Sequence, residues 1–379
     1  MPNIFSSTPP TIPHATRPRF NLLWRKQKLN TATVDIGRQS WINAIYYPNW
    51  AVYCGETPAS LNYACVSHVF YAFAHVDIEG KIFLSDEWAD KEMPVDGTTG
   101  CLASLSCLKQ QFSHLKLILS IGGGASSQNF AAVASSKHGR ETFGRSARSL
   151  VDTFALDGID IDWEHPSDHE QGRNFISLLA AIRCYLPEAK YLLTAALPAG
   201  QWALQNINLP KANEYLDFIN LMAYDFTGSW TAKAGHHAQL HASKGDECCG
   251  ASAVNYIIST GFPGYKLLLG IPVYGRSFLG ASGPDQTYTG HAGDEGTFKY
   301  KDLPRQNCQE TVNPHVVAAS CSGGDGGFVT YDNPDTVRMK ANYCREKGLG
   351  GLFYWTGTAD APSGPRSLVS TGFHSLHGH

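Results

Sequence analysis

Short apolar runs recur along the chain with amphipathic segments between them. The runs are rich in β-branched and aromatic residues, which favours strands, and the segments between them place apolar residues three or four positions apart, which favours helices. A regular alternation of the two is typical of repeated βα units with a parallel sheet. Eight runs are predicted as strands, at 42–50, 68–76, 116–124, 158–164, 191–198, 218–226, 266–275 and 351–357.

The intervening segments read as helices. The helical spacing is visible at 128–154 and 172–187, and the segment at 333–348 begins with Asn-Pro and ends with Gly. Eight βα units in roughly 250 residues plus insertions are typical of an α/β fold of the (β/α)8, or TIM barrel, type, with its active site at the carboxyl ends of the strands. A doubly wound open sheet is the alternative, but no Gly-rich phosphate loop follows the first strand.

The regular spacing breaks between the seventh and eighth strands. Residues 277–331 are rich in Gly, Asp, Tyr and Pro, and they are too many for an ordinary barrel loop. We predict a small α+β insertion domain there, between the two parts of a catalytic barrel at 41–276 and 332–379. Residues 1–40 are rich in Ser, Thr, Pro, Arg and Lys, and we predict a disordered leader, with a transit peptide as the alternative.

Composition and charge exclude several classes of function. The chain has 43% hydrophobic and 17% charged residues with a net charge of -3, so it lacks the broad basic field that a nucleic acid partner needs. No stretch approaches the roughly 18 to 20 apolar residues that span a bilayer, so no membrane partner is expected. Because residues 1–40 lack the apolar core of a secretory signal, an intracellular location is expected, with an extracellular one as the alternative. We expect a monomer.

One polar cluster contains several side chains that can bind metals. Its spacing matches none of the usual zinc patterns, so we predict no metal site, and no cofactor is expected. The ten cysteines are spread along the chain, which favours reduced thiols. The members of the cluster are His236, His237, His241, Asp246, Glu247, Cys248 and Cys249.

The fourth predicted strand, in the stretch LDGIDIDWEHP, is unusually rich in acids. Alternate residues of a strand face the same side, so Asp160, Asp162 and Glu164 share one face, about 6 to 7 Å apart. Three ionised carboxylates in an apolar interior would repel one another, so at least one should hold a proton. Glu164, nearest the carboxyl end, is the candidate proton donor to a leaving oxygen. The alternative, that these acids cap turns or pair with buried arginines, is not favoured by three acids in register.

The stretch DGIDIDWE fits the DxxDxDxE signature of the family 18 glycoside hydrolases, the chitinase family. The sequence resembles this family over residues 41–376: it has SIGG on the third strand, LMAYDF on the sixth, GIPVYGRSF on the seventh, YWTGTAD on the eighth, and an insertion after the seventh. It is most similar to the fungal, bacterial-type chitinases that carry an α+β insertion.

The resemblance implies retaining, substrate-assisted hydrolysis of the β-1,4 bonds in chitin and chitooligosaccharides. In this mechanism the acetamide carbonyl of the sugar in the −1 subsite attacks its own anomeric carbon. The resemblance makes Glu164 the general acid and base, has Asp162 orient the acetamide N–H, and has Asp160 share a proton with Asp162. It also implies that Tyr224 hydrogen-bonds to the acetamide carbonyl and that Asp225 contacts the sugar.

Aromatic residues at the strand ends are predicted to bind sugar rings, because a sugar ring has an apolar face. The resemblance implies Trp355 as the floor of the −1 subsite, with Trp50 on the glycon side and Trp230 on the aglycon, or leaving-group, side. The other positions that match the same pocket are Tyr47, Phe73, Met222, Tyr274 and Arg276.

The chain departs from the family at the end of the third strand. Relatives commonly read SIGGW, whereas this chain reads SIGGG, with Gly124 in the last position. A less well furnished aglycon side is therefore expected, which does not favour processive action or transglycosylation. Two other functions stay open: an endo-β-N-acetylglucosaminidase acting on N-glycans, and a lectin-like protein without the acid. The presence of Glu164 and Tyr224, together with the insertion, favours chitin hydrolysis.

Overall fold

Eight parallel strands close into a barrel in the computed structural model, which describes residues 41–245 and 247–378. Each strand pairs with the next, and the last pairs with the first, with Ile42 opposite Gly351. The predicted (β/α)8 barrel is therefore confirmed. The predicted leader at 1–40 lies outside the described residues. The barrel strands are β1 Ile42–Pro48, β2 His68–Val76, β3 Lys116–Gly122, β4 Gly158–Asp162, β5 Leu192–Pro198, β6 Phe218–Met222, β7 Leu267–Pro272 and β8 Gly351–Trp355.

Nine helices lie in the described part of the chain, most of them between successive barrel strands. Within residues 41–245 and 247–378, no helix is both long enough and apolar enough to span a lipid bilayer. They are α1 Cys101–Gln111, α2 Phe130–Ser135, α3 Lys137–Thr153, α4 His169–Tyr185, α5 Gln201–Leu204, α6 Leu209–Ala212, α7 Gly250–Ser259, α8 Pro334–Lys347 and α9 Leu368–His377.

Short turns and strands complete the connections that precede β3. Between β1 and β2 the chain forms three short 3-10 turns, and after β2 a short strand pairs back onto it with Ala74 opposite Leu84. The 3-10 turns are Asn49–Cys54, Pro58–Ser60 and Tyr63–Cys65, and the elements after β2 are the strand Ile82–Leu84, the π-helical turn Trp88–Glu92 and the paired strands Pro94–Val95 and Thr98–Thr99.

Capping residues explain where two of these helices begin. Asn333 accepts a hydrogen bond from the Thr336 N–H at 3.0 Å at the start of α8, and the following Gly348 has a left-handed φ of 65° that ends it. The helical segment predicted at 128–154 is two helices, because Ser136 is extended and its Oγ accepts from the Gly139 N–H at 2.8 Å, which starts α3.

Adjacent residues of each barrel strand face opposite sides. On β1, Tyr46 packs inside the barrel, where it stacks on Phe70 at 4.7 Å, whereas Ile45 belongs to the core outside the barrel wall. On β4 the same alternation sends Ile159 outward with Ile161, and Trp163 beyond the strand stacks on Phe130 of α2 at 5.7 Å. The acids of the predicted row therefore face the interior.

A second sheet follows β7 directly. Val273 alone separates the two sheets, and its N–H donates to the Trp355 carbonyl of the barrel at 2.8 Å while its carbonyl accepts from the Tyr300 N–H at 3.1 Å. In spatial order the five antiparallel strands are Thr297–Lys299, Tyr274–Phe278, Gly327–Tyr331, Ala318–Gly323 and Glu310–Asn313.

The insertion differs from the prediction in its boundary and its content. It begins at Tyr274 and not at residue 277, because the run from 266 to 275 is continuous in sequence and crosses from one sheet into the other. Residues 277–331 are all described, and apart from a 3-10 turn at Tyr300–Asp302 they form strands and loops. The predicted α+β content is thus corrected to a β-sheet module.

Candidate active site

A cleft of about 440 Å³ opens at the carboxyl ends of the barrel strands. This is the position at which barrels of this type place their chemistry. Its lining combines carboxyl groups, small residues and aromatic rings. The residues with functional side chains, together with the glycine of the SIGGG stretch, are Tyr46, Phe73, Gly124, Asp162, Glu164, His165, Trp202, Met222, Tyr224, Asp225, Phe226, Trp230, Cys248 and Trp355.

Asp160 lies fully buried at the bottom of the row of acids. Its Oδ2 accepts hydrogen bonds from the hydroxyls of Tyr46 and Ser120, both at 2.8 Å, and its Oδ1 accepts from Thr194 at 2.6 Å. The strand register provides two of these donors, since Ser120 on β3 and Thr194 on β5 lie opposite Asp160. Burial raises the pKa of Asp160, and the three hydrogen bonds oppose that rise.

Asp162 is the next acid toward the cleft. Its Oδ1 is buried and has no hydrogen-bond partner among the described residues. Burial raises the pKa of Asp162 well above its ordinary value, and the charges of Glu164 and Asp160 raise it further. Its surroundings therefore favour the protonated form of Asp162, and its unmatched polar oxygen faces the cleft.

Glu164 lies at the mouth, two residues beyond the end of β4. Its backbone N–H donates to Ser127 Oγ at 2.9 Å, which fixes the residue outside the regular strand. The side chain is open to the cleft but has protein atoms around most of it, and this burial raises its pKa. The charge of Asp225 adds to the rise, while the N–H of Gly124 opposes it. A carboxyl group that keeps its proton at a cleft is suited to general acid catalysis.

Asp225 has the opposite electrostatic character. Its Oδ1 accepts from the Tyr274 hydroxyl at 2.6 Å and from Arg276 Nε at 2.7 Å, and His237 Nδ1 lies 3.4 Å from the same oxygen. Burial alone would raise the pKa of Asp225, but the contacts with His237 and Arg276 outweigh it and hold that pKa well below its ordinary range. Its φ of 61° lies in the left-handed region, which aspartate tolerates better than most residues. Asp225 is thus a fixed, ionised carboxylate.

Tyr224 lines the cleft next to Asp225. Burial raises the pKa of its hydroxyl well above 10, and the nearby carboxylates raise it further, so the hydroxyl keeps its proton and can donate a hydrogen bond. Its ring meets Tyr274 and Phe353 edge to face, with centroids 6.3 and 6.2 Å away. Met222, at the end of β6, lines the same part of the cleft.

Phe73 and Trp355 form an aromatic wall of the cleft, and Trp50 lies beside them outside the lining. Trp355, at the end of β8, stacks on Phe73 at 5.6 Å, and Trp50 lies 6.2 Å from Phe73 and 6.4 Å from Trp355. Trp50 is 48% exposed, which leaves much of its ring open to a ligand. Trp230 lies elsewhere on the rim, 59% exposed, with the Arg276 guanidinium 4.5 Å from the centre of its ring.

The structure corrects the prediction for Tyr47. Its ring is fully buried on the outer face of β1, where it stacks on Tyr71 at 6.0 Å and its hydroxyl donates to the Glu56 carbonyl at 2.8 Å. Because adjacent strand residues face opposite sides, the inward position belongs to Tyr46. The polar groups of Tyr274 and Arg276 hold Asp225, and their predicted contact with the sugar stays a prediction.

Besides Tyr46, sequence reasoning missed the cleft residues His165 and Trp202. His165 directly follows Glu164, and Trp202 comes four residues after the end of β5. A search for aromatic residues just beyond each predicted strand would have found Trp202. The buried Ser120, Thr194 and Asn220 were also missed, because nothing in their local sequence marks them as polar contacts inside the barrel.

Two histidines of the polar cluster at 236–249 contact residues outside the cluster. His236 Nδ1 lies 3.0 Å from Thr330 Oγ1, and His237 faces Asp225. Asp246 is outside the described residues. Within 41–245 and 247–378, no group of three or more His, Cys, Asp or Glu side chains has an arrangement that could hold a metal ion.

Comparison with known proteins finds a matching family model, similar sequences and similar solved structures. The family model described as glycosyl hydrolases family 18 matches residues 42–360. Endochitinase 1 of Metarhizium robertsii is 36% identical to this chain over 367 residues, which cover 89% of this chain and 86% of that protein.

Two solved structures resemble the fold closely. Chitinase ChiA74 from Bacillus thuringiensis has a TM-score of 0.80 at 26% identity, covering 90% of this chain and 70% of that one. The GH18 chitinase from Cycas revoluta, solved in complex with (GlcNAc)3, has a TM-score of 0.78 at 25% identity, covering 88% of this chain and 99% of that one.

Proposed function

The chain belongs to family 18 of the glycosyl hydrolases and is a chitinase, like the relatives that match most of its length. We propose that it cleaves chitin and chitooligosaccharides with retention of configuration, by a substrate-assisted mechanism in which Glu164 is the general acid and base. The observation that carries this proposal is the buried Oδ1 of Asp162, which has no hydrogen-bond partner among the described residues and lies in the same cleft as Glu164.

The surroundings of the carboxyl groups select the acid. Asp160 is enclosed by three hydroxyl donors, and Asp225 is ionised and held by Tyr274 and Arg276. Glu164 is open to the cleft and has a raised pKa. It is therefore the group suited to protonate a leaving oxygen.

The raised pKa of Asp162 also favours a nucleophile supplied by the substrate. The ordinary retaining scheme needs a second, ionised carboxylate to attack the anomeric carbon. Asp162 has a strongly raised pKa and so is a poor nucleophile at neutral pH. Its Oδ1, unpaired within the described chain, is instead an acceptor for the acetamide N–H of the bound sugar.

In the first step, Glu164 donates its proton to the glycosidic oxygen as the bond from that oxygen to the anomeric carbon breaks. The acetamide carbonyl oxygen forms a bond to the same carbon, which gives an oxazolinium ion. Asp162 accepts the N–H hydrogen bond of this group, Tyr224 donates to its oxygen, and Trp355 supports the apolar face of the ring.

In the second step, the Glu164 carboxylate takes a proton from water. The water oxygen bonds to the anomeric carbon, the bond from that carbon to the acetamide oxygen breaks, and the acetamide is restored. Two inversions at one carbon give net retention. Every protein group in this scheme comes from a single chain, in keeping with the proposed monomer.

The test is hydrolysis of chitotetraose and chitohexaose with early products resolved by anomer. We expect β-anomers from the wild type and none from Glu164→Gln, which should still bind both oligosaccharides. Glu188→Gln, an exposed acid on the turn after α4, is the control and should cleave like the wild type.

Other outcomes would contradict the proposal. Early release of α-anomers would mean inversion and would remove the role given to Asp162. A wild type that binds chitohexaose without cutting it would be lectin-like. Release of N-glycans from a glycoprotein with chitohexaose left intact would indicate an endo-β-N-acetylglucosaminidase.

A further inference from the structure

Trp202 is the most exposed of the large apolar residues in the described chain, yet it lines the cleft. It lies in the single turn of α5, four residues after β5 ends, and 64% of its surface is exposed. Large aromatic rings are usually covered when they serve only packing. An exposed indole on the wall of a cleft is suited to bind an apolar surface.

His165 lies against this ring. Its centroid is 4.8 Å from that of Trp202, with the planes 69° apart, an edge-to-face contact. The Nδ1 atom of His165 is buried and has no hydrogen-bond partner in the part of the chain that the structure describes. The two residues therefore combine an open apolar ring with an unmatched polar atom, and both line the cleft beside Glu164.

The closed barrel puts this pair opposite the aromatic wall. In a ring of eight strands, β5 is four places from β1, and β4 is four places from β8. Trp202 follows β5, while Trp50 follows β1; in the same way Glu164 and His165 follow β4, opposite Trp355 on β8. A sugar chain that crosses from Trp50 over Trp355 toward β4 and β5 thus meets the Trp202 and His165 pair beyond the acid.

Small residues leave room for a ring at this side. The cleft lining at the end of β5 consists of Ala196, Pro198, Ala199 and Gly200. A Cβ added to Gly200 would lie 2.3 Å from Trp202 Nε1, so the absence of a side chain there admits the indole. Trp230, the other exposed tryptophan of the cleft lining, has the Arg276 guanidinium 4.5 Å from the centre of its ring and is 59% exposed, so it remains a second aromatic surface at the rim.

We propose that Trp202 and His165 form the binding site for the first sugar on the aglycon side. The indole stacks on the apolar face of that sugar, and His165 Nδ1 hydrogen-bonds to one of its polar groups. The inference rests on the proposed function and deepens it, because it locates the leaving group. Gly124 led to the expectation of a less well furnished aglycon side. The inference replaces that expectation, because the aromatic ring comes from the segment after β5 and not from the end of β3.

The experiment compares two substrates of which only one places sugars on the leaving side. Chitohexaose places sugars there, whereas β-chitobiosyl fluoride has a single atom as its leaving group. The variants are Trp202→Ala and His165→Phe, which keeps an aromatic edge but removes both ring nitrogens. The control is Trp88→Ala, a tryptophan that is 51% exposed but does not line the cleft.

For Trp202→Ala we expect kcat/KM on chitohexaose to fall about tenfold, the size of one lost aromatic stacking contact, while the value for the fluoride stays within about twofold. His165→Phe should raise KM for chitohexaose by about threefold to tenfold with its pH profile unchanged. Trp88→Ala should match the wild type on both substrates.

Three results would overturn the inference. An equal fall in kcat/KM on both substrates for Trp202→Ala would mean that Trp202 contacts the −1 sugar or that the cleft needs this residue to fold correctly. No loss on either would make it an unused surface residue, and a shifted pH profile in His165→Phe would make that histidine a proton-transfer group. If the wild type cleaves neither substrate, the proposed function fails first, and this result is distinct from the other three.

Discussion

The Tyr46 hydroxyl donates a 2.8 Å hydrogen bond to Asp160 across the interior of the barrel. Asn220 Nδ2 donates to the same hydroxyl at 2.9 Å, so strands β1, β4 and β6 share one buried polar contact at the base of the acids. The neighbouring Tyr47 is equally buried but donates to the Glu56 carbonyl on the other side of the wall. The two adjacent tyrosines are thus equally buried, but only Tyr46 reaches the carboxyl groups and the cleft.

This pair provides a matched test of the buried acid. Tyr46→Phe should lower kcat/KM for chitotetraose about tenfold, because Asp160 loses a donor and the charge distribution under Asp162 changes. Tyr47→Phe should leave kcat/KM unchanged. Both variants should lose about 1 kcal/mol of unfolding free energy in urea denaturation, the usual effect of one buried hydrogen bond. Equal activity losses in the two variants would show that the effect comes from packing alone.

The pH profile should reflect the raised pKa of Glu164. A general acid is active while protonated, so a raised pKa moves the alkaline limb of kcat/KM above the ordinary range of glutamic acid. Asp225→Asn removes a like charge that raises this pKa, so the limb should move to lower pH. The measurement is kcat/KM on chitotetraose across pH, with Asp217→Asn, an acid paired with Arg183 on the outside of the barrel, as control. A limb at the same pH in Asp225→Asn would exclude this coupling.

Asp162→Asn should make the protein more stable at neutral pH while lowering its activity. Because the folded-state pKa of Asp162 is raised, the folded protein binds more protons than the unfolded chain between the ordinary aspartate pKa and the raised one. Stability is therefore lost as pH rises through that window, by about 1.4 kcal/mol for each pH unit. The asparagine avoids this loss, so its advantage in urea denaturation should be at least about 1 kcal/mol at pH 7 and should shrink toward pH 4. A stability gain of Asp162→Asn that does not vary with pH would contradict a raised pKa for Asp162 in the folded protein.

The two glycines after β3 should respond differently to alanine. At Gly123, φ is 87° and an added Cβ would lie 2.7 Å from the Phe73 ring. At Gly124 the nearest atom to an added Cβ is Glu164 Oε2 at 3.5 Å, an ordinary contact. We expect Gly123→Ala to cost about 1 to 3 kcal/mol of unfolding free energy and Gly124→Ala less than about 0.5 kcal/mol. Similar losses in thermal or urea unfolding would show that the backbone at 123 can relax.

Much of the fold could be predicted because its signals are local and periodic. The eight strands appear as separate apolar runs, and the alternation within β4 places Asp160 and Asp162 on the inner face. β1 has two tyrosines in succession, Tyr46 and Tyr47, and both are fully buried, so the sequence does not indicate which one faces the barrel interior.

Other features depend on distant parts of the chain. Asp225 meets Arg276 across 51 positions, and that contact reverses the effect of burial on its pKa. The insertion boundary was missed because a single residue, Val273, separates the two sheets. Trp202 was missed because it lies in a helical turn beyond a strand, where periodicity gives no signal.

The strand Tyr274–Phe278 belongs to the second sheet, yet it supplies both donors that hold Asp225 in the barrel. The insertion is therefore part of the electrostatic framework of the cleft and not a detachable lobe. If its sheet melted separately, Asp225 would lose its ion pair. Barrel and insertion should thus unfold in one calorimetric transition, whose directly measured enthalpy equals the van't Hoff enthalpy.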